Sequence, residues 1–251
     1  MKKAIALMLA LLLVCGLFAC GNEAPAGTTE ATTEATTEAT TEATEADDGV
    51  MSYEEYVAAE LETEVVVQAY IQAAQTYNAE YGNTSLYLQD KDGAYFVYRL
   101  ACTADEAKLM VPGTLVKITG TKSAWSGEVE IVDAKFEIVE GGDTYVAEPV
   151  DLTEKMDAED LIDYQNQLAA FKGLTVKKLE YKNEGGDDIY VTLAKGDKEY
   201  NFCVEIDLTA ADSEVYTTVS GLAEGDVVDV EGFLYWYEGM NPHITKVTKA
   251  G

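Results

Sequence analysis

The side chains with most to offer a ligand in this 251-residue chain are aromatic. Sixteen tyrosines and two tryptophans stand beside a single histidine. They recur in strand-like runs: Tyr87, Tyr95 and Tyr98 around an Asp90–Gly93 turn, Trp125 before a second turn, and Tyr235, Trp236 and Tyr237 together. Rings of this kind stack on sugars or grip a peptide, and they also close the ends of small barrels. Ligand contact and packing both stay open for each one. Reaction chemistry is harder to place. The chain has no G-x-S-x-G, no H-E-x-x-H and no P-loop, so no catalytic residue is assigned. His243 alone cannot build a multi-histidine metal site, and no metal or cofactor is expected. Asp90-Lys91-Asp92-Gly93 begins like a calcium loop but lacks the later acidic ligands, which leaves a hairpin turn. Cys102 and Cys203 read as two separate thiols.

The formal charge is −29. Setting aside Lys2, Lys3 and the eight acids between Glu23 and Asp48 leaves −23 for residues 50–251. Phosphate backbones are bound by neutralising them with Lys and Arg, so the expectation is no nucleic acid partner. Cations, neutral ligands and basic proteins remain compatible with such a surface. Carboxylates are so abundant that a pair of them does not define a glycosidase site.

The stretch that must position the aromatics is Gly113–Ile138, with an echo at Gly225–Lys249. Each opens G-x-x-V-x-[IV]-x-G, passes an aromatic and a Gly-containing turn, and returns as a second strand. Val116 and Ile118, or Val228 and Val230, fall on one face at period two. The alternation slips near Val132-Asp133, which predicts a β-bulge. Upstream, Ser52 and Glu55 form a capping-box pattern, Glu64–Ala73 reads as a strand, and Ser85–Gln89 with Ala94–Ala101 reads as a hairpin. Thr103–Met110 reads as a short helix. Asp157–Ala170 is then predicted helical, followed by strands at Leu174–Tyr181, Ile189–Leu193 and Tyr200–Asp207 and helical residues over Ala210–Leu222. The order strand, strand, strand, helix, strand, strand thus occurs twice. It resembles the OB-fold, a five-stranded Greek-key barrel. The expected fold is mainly β with short helices, as two tandem OB-like five-stranded barrels, domain 1 at 50–140 and domain 2 at 157–251, joined by a linker at 141–156. OB barrels bind across strands two and three and the loops beside them. That position selects Tyr87, Tyr95, Tyr98 and Trp125 in the first repeat and Tyr235, Trp236 and Tyr237 in the second as candidate ligand contacts.

The N-terminus carries an address. Lys2 and Lys3 precede an eleven-residue apolar run, Ala4–Val14, too short to span a bilayer. Leu17-Phe18-Ala19-Cys20 resembles a bacterial lipobox, which makes 1–19 a lipoprotein signal peptide and Cys20 the lipidated residue. Residues 20–49 hold repeated T-T-E-A and no apolar residue larger than alanine between Gly27 and Ala46, so they read as a low-complexity disordered tether. The expected location is the extracytoplasmic face of a bacterial cell membrane, held by the lipid anchor.

D-K-D-G-A-Y-F-V-Y at Asp90–Tyr98, W-S-G-E-V-E-I at Trp125–Ile131 and E-G-F-L-Y-W-Y-E-G at Glu231–Gly239 resemble uncharacterised lipoproteins of gut-type Gram-positive bacteria with tandem OB-fold-like domains. That resemblance implies location and fold and carries over no catalytic residue. The leading functional reading is a binding module for a glycan or protein ligand. The rivals are an envelope hydrolase using carboxylate or metal-assisted chemistry, and a structural spacer of a surface complex.

Overall fold

Alternation of apolar and polar residues sets the first sheet. In a computed structural model that describes residues 49–183 and 186–250, Val65, Val67, Ala69 and Ile71 lie fully buried on one face of β1 (Glu64–Ala74). The signal segment, Cys20 and residues 20–48 of the tether lie outside the described residues. β2 (Asn83–Gln89) and β3 (Ala94–Ala101) form the expected hairpin. Asp90 ties its turn, Oδ1 accepting from the N–H groups of Asp92 and Gly93 at 2.8 and 2.9 Å. β4 (Leu115–Trp125) and β5 (Glu128–Ile138) are joined through Ser126 and Gly127, both at positive φ, as a two-residue hairpin turn requires. Pairing runs β1-β2-β3-β5-β4 and returns to β1, closing a five-stranded barrel.

Two short helices attend it. α1 (Tyr53–Ala58) opens with the Ser52/Glu55 capping box, and α2 (Ala104–Ala107) with a second formed by Thr103 and Glu106. The C-terminus of α1 is satisfied from outside the helix. Lys122 shares the core face of β4 with Val116 and Ile118, and its ammonium donates to the carbonyls of Tyr56, Val57 and Ala59 at 2.8, 3.0 and 2.8 Å. Burial holds its pKa below the usual lysine range.

The second sheet contains β6 (Val150–Asp151), β7 (Leu168–Tyr181), β8 (Ile189–Lys195), β9 (Lys198–Val204), β10 (Val227–Phe233) and β11 (His243–Lys249) in the order β10-β11-β9-β8-β7-β6, and β10 also pairs with β7. α3 (Ile206–Thr209) and α4 (Glu214–Ser220) lie between β9 and β10. The architecture is therefore mainly β with few short helices: one closed barrel and a second, six-stranded sheet.

The helix predicted over Asp157–Ala170 does not form. Glu159–Tyr164 is a 3-10 helix, and the chain enters β7 at Leu168. Leu168, Ala169 and Ala170 pair with Phe233, Gly232 and Glu231 of β10. The ladder bonds, with Ala169 and Phe171 fully buried, outweigh a weak helical propensity. Residues 141–156 are held at both ends. Ala147 N–H donates to Gln72 Oε1 of β1 at 2.8 Å, while Leu152 and Met156 are buried in the core of the second sheet. All described residues belong to one compact unit.

The repeated glycines do two jobs. Gly113 and Gly225 take positive φ, 87° and 90°, where β4 and β10 are launched. Gly120 and Gly232 admit a neighbouring backbone: a Cβ would lie 2.8 Å from the Val132 carbonyl oxygen at the first and 2.2 Å from that of His243 at the second. Both sit at breaks in strand register, and the break at Gly120 leaves Asp133 and Ala134 as the bulge, close to the Val132–Asp133 slip seen in the sequence. Gly232→Ala is expected to cost about 3 kcal/mol, because backbone must move. Gly221→Ala, at ordinary φ with no contact under 3.6 Å, should stay within about 0.5 kcal/mol. Urea midpoints of the two variants check both, and an equal loss would remove the close-approach argument.

Candidate functional site

The two sheets meet on aromatic rings. Tyr87 of β2, Phe96 of β3 and Phe233 of β10 form a buried cluster, with Tyr87 and Phe233 stacked at 4.2 Å and 6°. The Tyr87 hydroxyl lies 2.8 Å from Nδ1 of His243, and Glu205 Oε2 lies 3.2 Å from the same nitrogen. With a proton on Nδ1 the carboxylate accepts it; without one, the tyrosine hydroxyl donates. Gln75 Nε2 also donates to Glu205 at 2.7 Å, across the joint. Burial alone would raise the Glu205 pKa, but these two partners hold it below its usual range. The lone histidine is thus part of the joint. Tyr235 stacks on its ring at 4.3 Å.

This joint sorts the seven candidate aromatics. Tyr87 is fully buried in it. Tyr95, 1% exposed, packs edge-on against Tyr53 and Tyr56 at 5.6 and 4.8 Å. Trp236 is half-buried against the core of the second sheet and crosses Gly127, where a Cβ would meet its Cδ1 at 2.7 Å. Of the remaining four, Tyr98, Trp125 and Tyr235 line a cleft and Tyr237 packs against Trp125 beside it. Tyr98 ends the buried run of β3, Trp125 ends β4, and Tyr235 and Tyr237 lie in the connection from β10 to β11. Tyr98, Trp125 and Tyr237 are exposed, Tyr235 is half-buried, and the Trp125 and Tyr237 centroids are 5.2 Å apart. Tyr98, Trp125, Tyr235 and Glu130 line a cavity of about 160 Å³.

Glu130 and its neighbour Glu128 escaped the sequence reading. The signal was present: in Glu128-Val129-Glu130-Ile131 the two acids occupy alternate positions of a strand, and both turn out buried. Glu128 is completely buried, Oε2 accepting the Trp236 N–H at 2.8 Å while Oε1 finds no hydrogen-bond partner in range among the described residues. Burial pushes its pKa up to about 8, against the opposing pull of the Asn166 amide and the Trp236 N–H. Glu130, 7% exposed, is also raised by burial. Neither makes an ion pair among the described residues.

A larger groove of about 670 Å³ runs past Ala73, Leu168, Val215 and Phe233, but its lining brings no cluster of aromatic or charged groups to one point. Among the described residues no three His, Cys, Asp or Glu side chains converge to hold a metal. Cys102 is half-buried, Cys203 buried, and both are free thiols.

No protein-family model matches the chain, and no curated protein matches it. Solved structures resemble it distantly. One described as "Structure of murine DNA binding protein bound with ds DNA" is 14% identical, with a TM-score of 0.36 over 75% of this chain and 96% of that one. "Crystal structure of Ifi202 HINa domain in complex with 20bp dsDNA" is 12% identical, with a TM-score of 0.35 over 75% and 96%. "Structural mimicry for functional antagonism" is 12% identical, with a TM-score of 0.34 over 76% and 93%. Likeness at this level carries no function to the present chain. It does correct one expectation. The charge was read as excluding nucleic acid, yet chains that align with three quarters of this one are described with double-stranded DNA, so that exclusion is withdrawn.

The buried Glu128 makes stability pH-dependent. Its folded pKa of about 8 exceeds the unfolded 4.5, so the folded state holds the extra proton between those values. Stability should therefore fall as pH rises from about 5 to 8, with a limiting slope of ~1.4 kcal/mol per pH unit. The lowered Glu205 acts in the opposite sense and at the acid end: its contribution is lost as pH falls through the carboxylate range. Glu128→Gln should flatten the upper window. Urea titrations at pH 5.5, 6.5 and 7.5 (about one unit apart) would show the slope, and an unchanged slope in the variant would assign it elsewhere.

Proposed function

We propose that this chain is a binding module whose ligand enters the cleft of Tyr98, Trp125, Tyr235 and Tyr237. The single observation carrying this is that Tyr98 and Trp125 stay exposed while lining one cavity with Tyr235, and Tyr237 stays exposed against Trp125, when so many other aromatics of the chain are spent on packing. A glycan or a protein segment is the ligand class the rings suit. A hydrolase is less well supported: Glu128 is sealed from solvent, and Glu130 makes no ion pair among the described residues. The proposal extends to the scaffold. The pairing of β10 back onto β7 supports reading the second sheet as a second OB-like barrel, with β6 added at its edge. It extends also to location, a surface lipoprotein anchored through Cys20, on the strength of the lipobox pattern.

The test is titration of the protein with soluble envelope glycans and peptides, read by tryptophan fluorescence. Trp125→Ala and Tyr237→Ala should each weaken binding about tenfold, the loss of one stacking contact. Binding that survives both substitutions unchanged would place the ligand elsewhere. For the anchor, Cys20→Ala should move the protein out of the membrane fraction or leave its signal uncleaved, and normal lipid labelling of that variant would refute it.

A further inference from the structure

The cleft combines aromatic walls with a carboxylate that has no counter-charge. Glu130 borders the cavity beside Tyr98, Trp125 and Tyr235, is only 7% exposed, and makes no ion pair among the described residues. No basic residue lines the cavity. A buried carboxylate left unpaired is costly, and a cation brought against it offsets that cost where a neutral ligand does not. The walls specify which cation. Rings attract positive charge through their faces, most strongly when the cation is desolvated. A metal ion needs several oxygen ligands, and this cavity supplies one carboxylate. A bare ammonium keeps three N–H donors that ring faces satisfy poorly. A methylated ammonium sheds water easily and has no donors to strand. The size fits as well: about 160 Å³ is below the ~300–1,000 Å³ of sites that enclose whole ligands, so a head group enters and the rest of its molecule stays outside. The Tyr98 ring already holds one cation of the chain against it, the Arg99 guanidinium at 4.9 Å from its centroid.

We infer that the cleft of Tyr98, Trp125, Tyr235 and Glu130 binds a quaternary or methylated ammonium group. This rests on the binding-module reading and adds the ligand's charge to it. The chain's strongly acidic composition concentrates such cations near the surface before they reach the site.

The experiment titrates the full-length protein with choline, with dimethylbutanol (its uncharged tert-butyl analogue) and with a soluble oligosaccharide, by tryptophan fluorescence and calorimetry. Choline should bind at least about tenfold more tightly than the alcohol. Glu130→Gln should remove most of that preference while leaving the alcohol's affinity unchanged. Circular dichroism and urea midpoints confirm that the variant folds, and Tyr98→Leu, at an exposed ring, gives a second reading should the Glu130→Gln change disturb the sheet. Equal affinity for choline and the alcohol, or a choline affinity indifferent to both substitutions, would overturn the inference. Oligosaccharide binding that depends on Trp125, without choline binding, would end the ammonium assignment and keep the cleft as a binding site. Silence from all three probes would end both.

Discussion

The stack of Tyr87 on Phe233 is the contact through which one sheet knows where the other is. Each ring comes from a different sheet, and a separation of 4.2 Å at near-parallel planes leaves little freedom to slide. Burying two such side chains contributes about 2–3 kcal/mol each, with ~1 kcal/mol more for the paired rings. The surface ion pairs, such as Lys108 with Asp105, are exposed and contribute next to nothing by comparison. Tyr87 brings a hydroxyl into the joint, and that hydroxyl must be satisfied. His243 and Glu205 answer this need, and Gln75, just past β1, completes the set from the barrel's side. The polar network exists because the ring that best fills the gap carries an oxygen.

The cleft inherits its shape from this joint. Tyr98, Trp125 and Glu130 come from the barrel, whereas Tyr235 and Tyr237 come from the connection leaving β10 just past Phe233. A shift of the stack would separate the walls. Glu128 reinforces the same alignment by accepting the Trp236 N–H from the opposite side. Its burial costs stability wherever the group ionises, and it is placed two residues from the carboxylate that borders the cavity.

Much of the scaffold was legible in the sequence because it rests on local rules. Ser52 with Glu55, the turn at Asp90–Gly93, and the glycine pairs Gly113/Gly120 and Gly225/Gly232 each announce a backbone event that the structure contains. The cleft was legible only in part. Tyr235, Trp236 and Tyr237 sit in a strand-like run of the sequence, but β10 ends at Phe233 and they occupy a connection, where strand alternation does not apply. Tyr87 and Tyr98 have the same chemistry and similar settings in sequence, yet one faces the other sheet and one faces water; only the docking of the sheets decides that. The misread helix at Asp157–Ala170 has the same origin. Leu168–Ala170 become a strand because β10 lies beside them, and no local signal in those residues names a partner some sixty positions away.

Lys122 has a mechanical consequence. The chain enters the described structure at Gly49 and passes at once through Met51, bonded to Val66 of β1, into α1. Tension applied from the N-terminal side therefore reaches α1 before it reaches the barrel's closing strands. Three carbonyls at the end of that helix converge on one ammonium rooted in β4. The three acceptors share one ammonium, so drawing the lysine side chain out of the barrel's end releases all three carbonyls together. The load is passed sideways into β4, the fourth of the barrel's five strands, and the first strand is spared peeling. Pulled from its N-terminal side, the barrel then yields as a whole and does not unravel from its terminus.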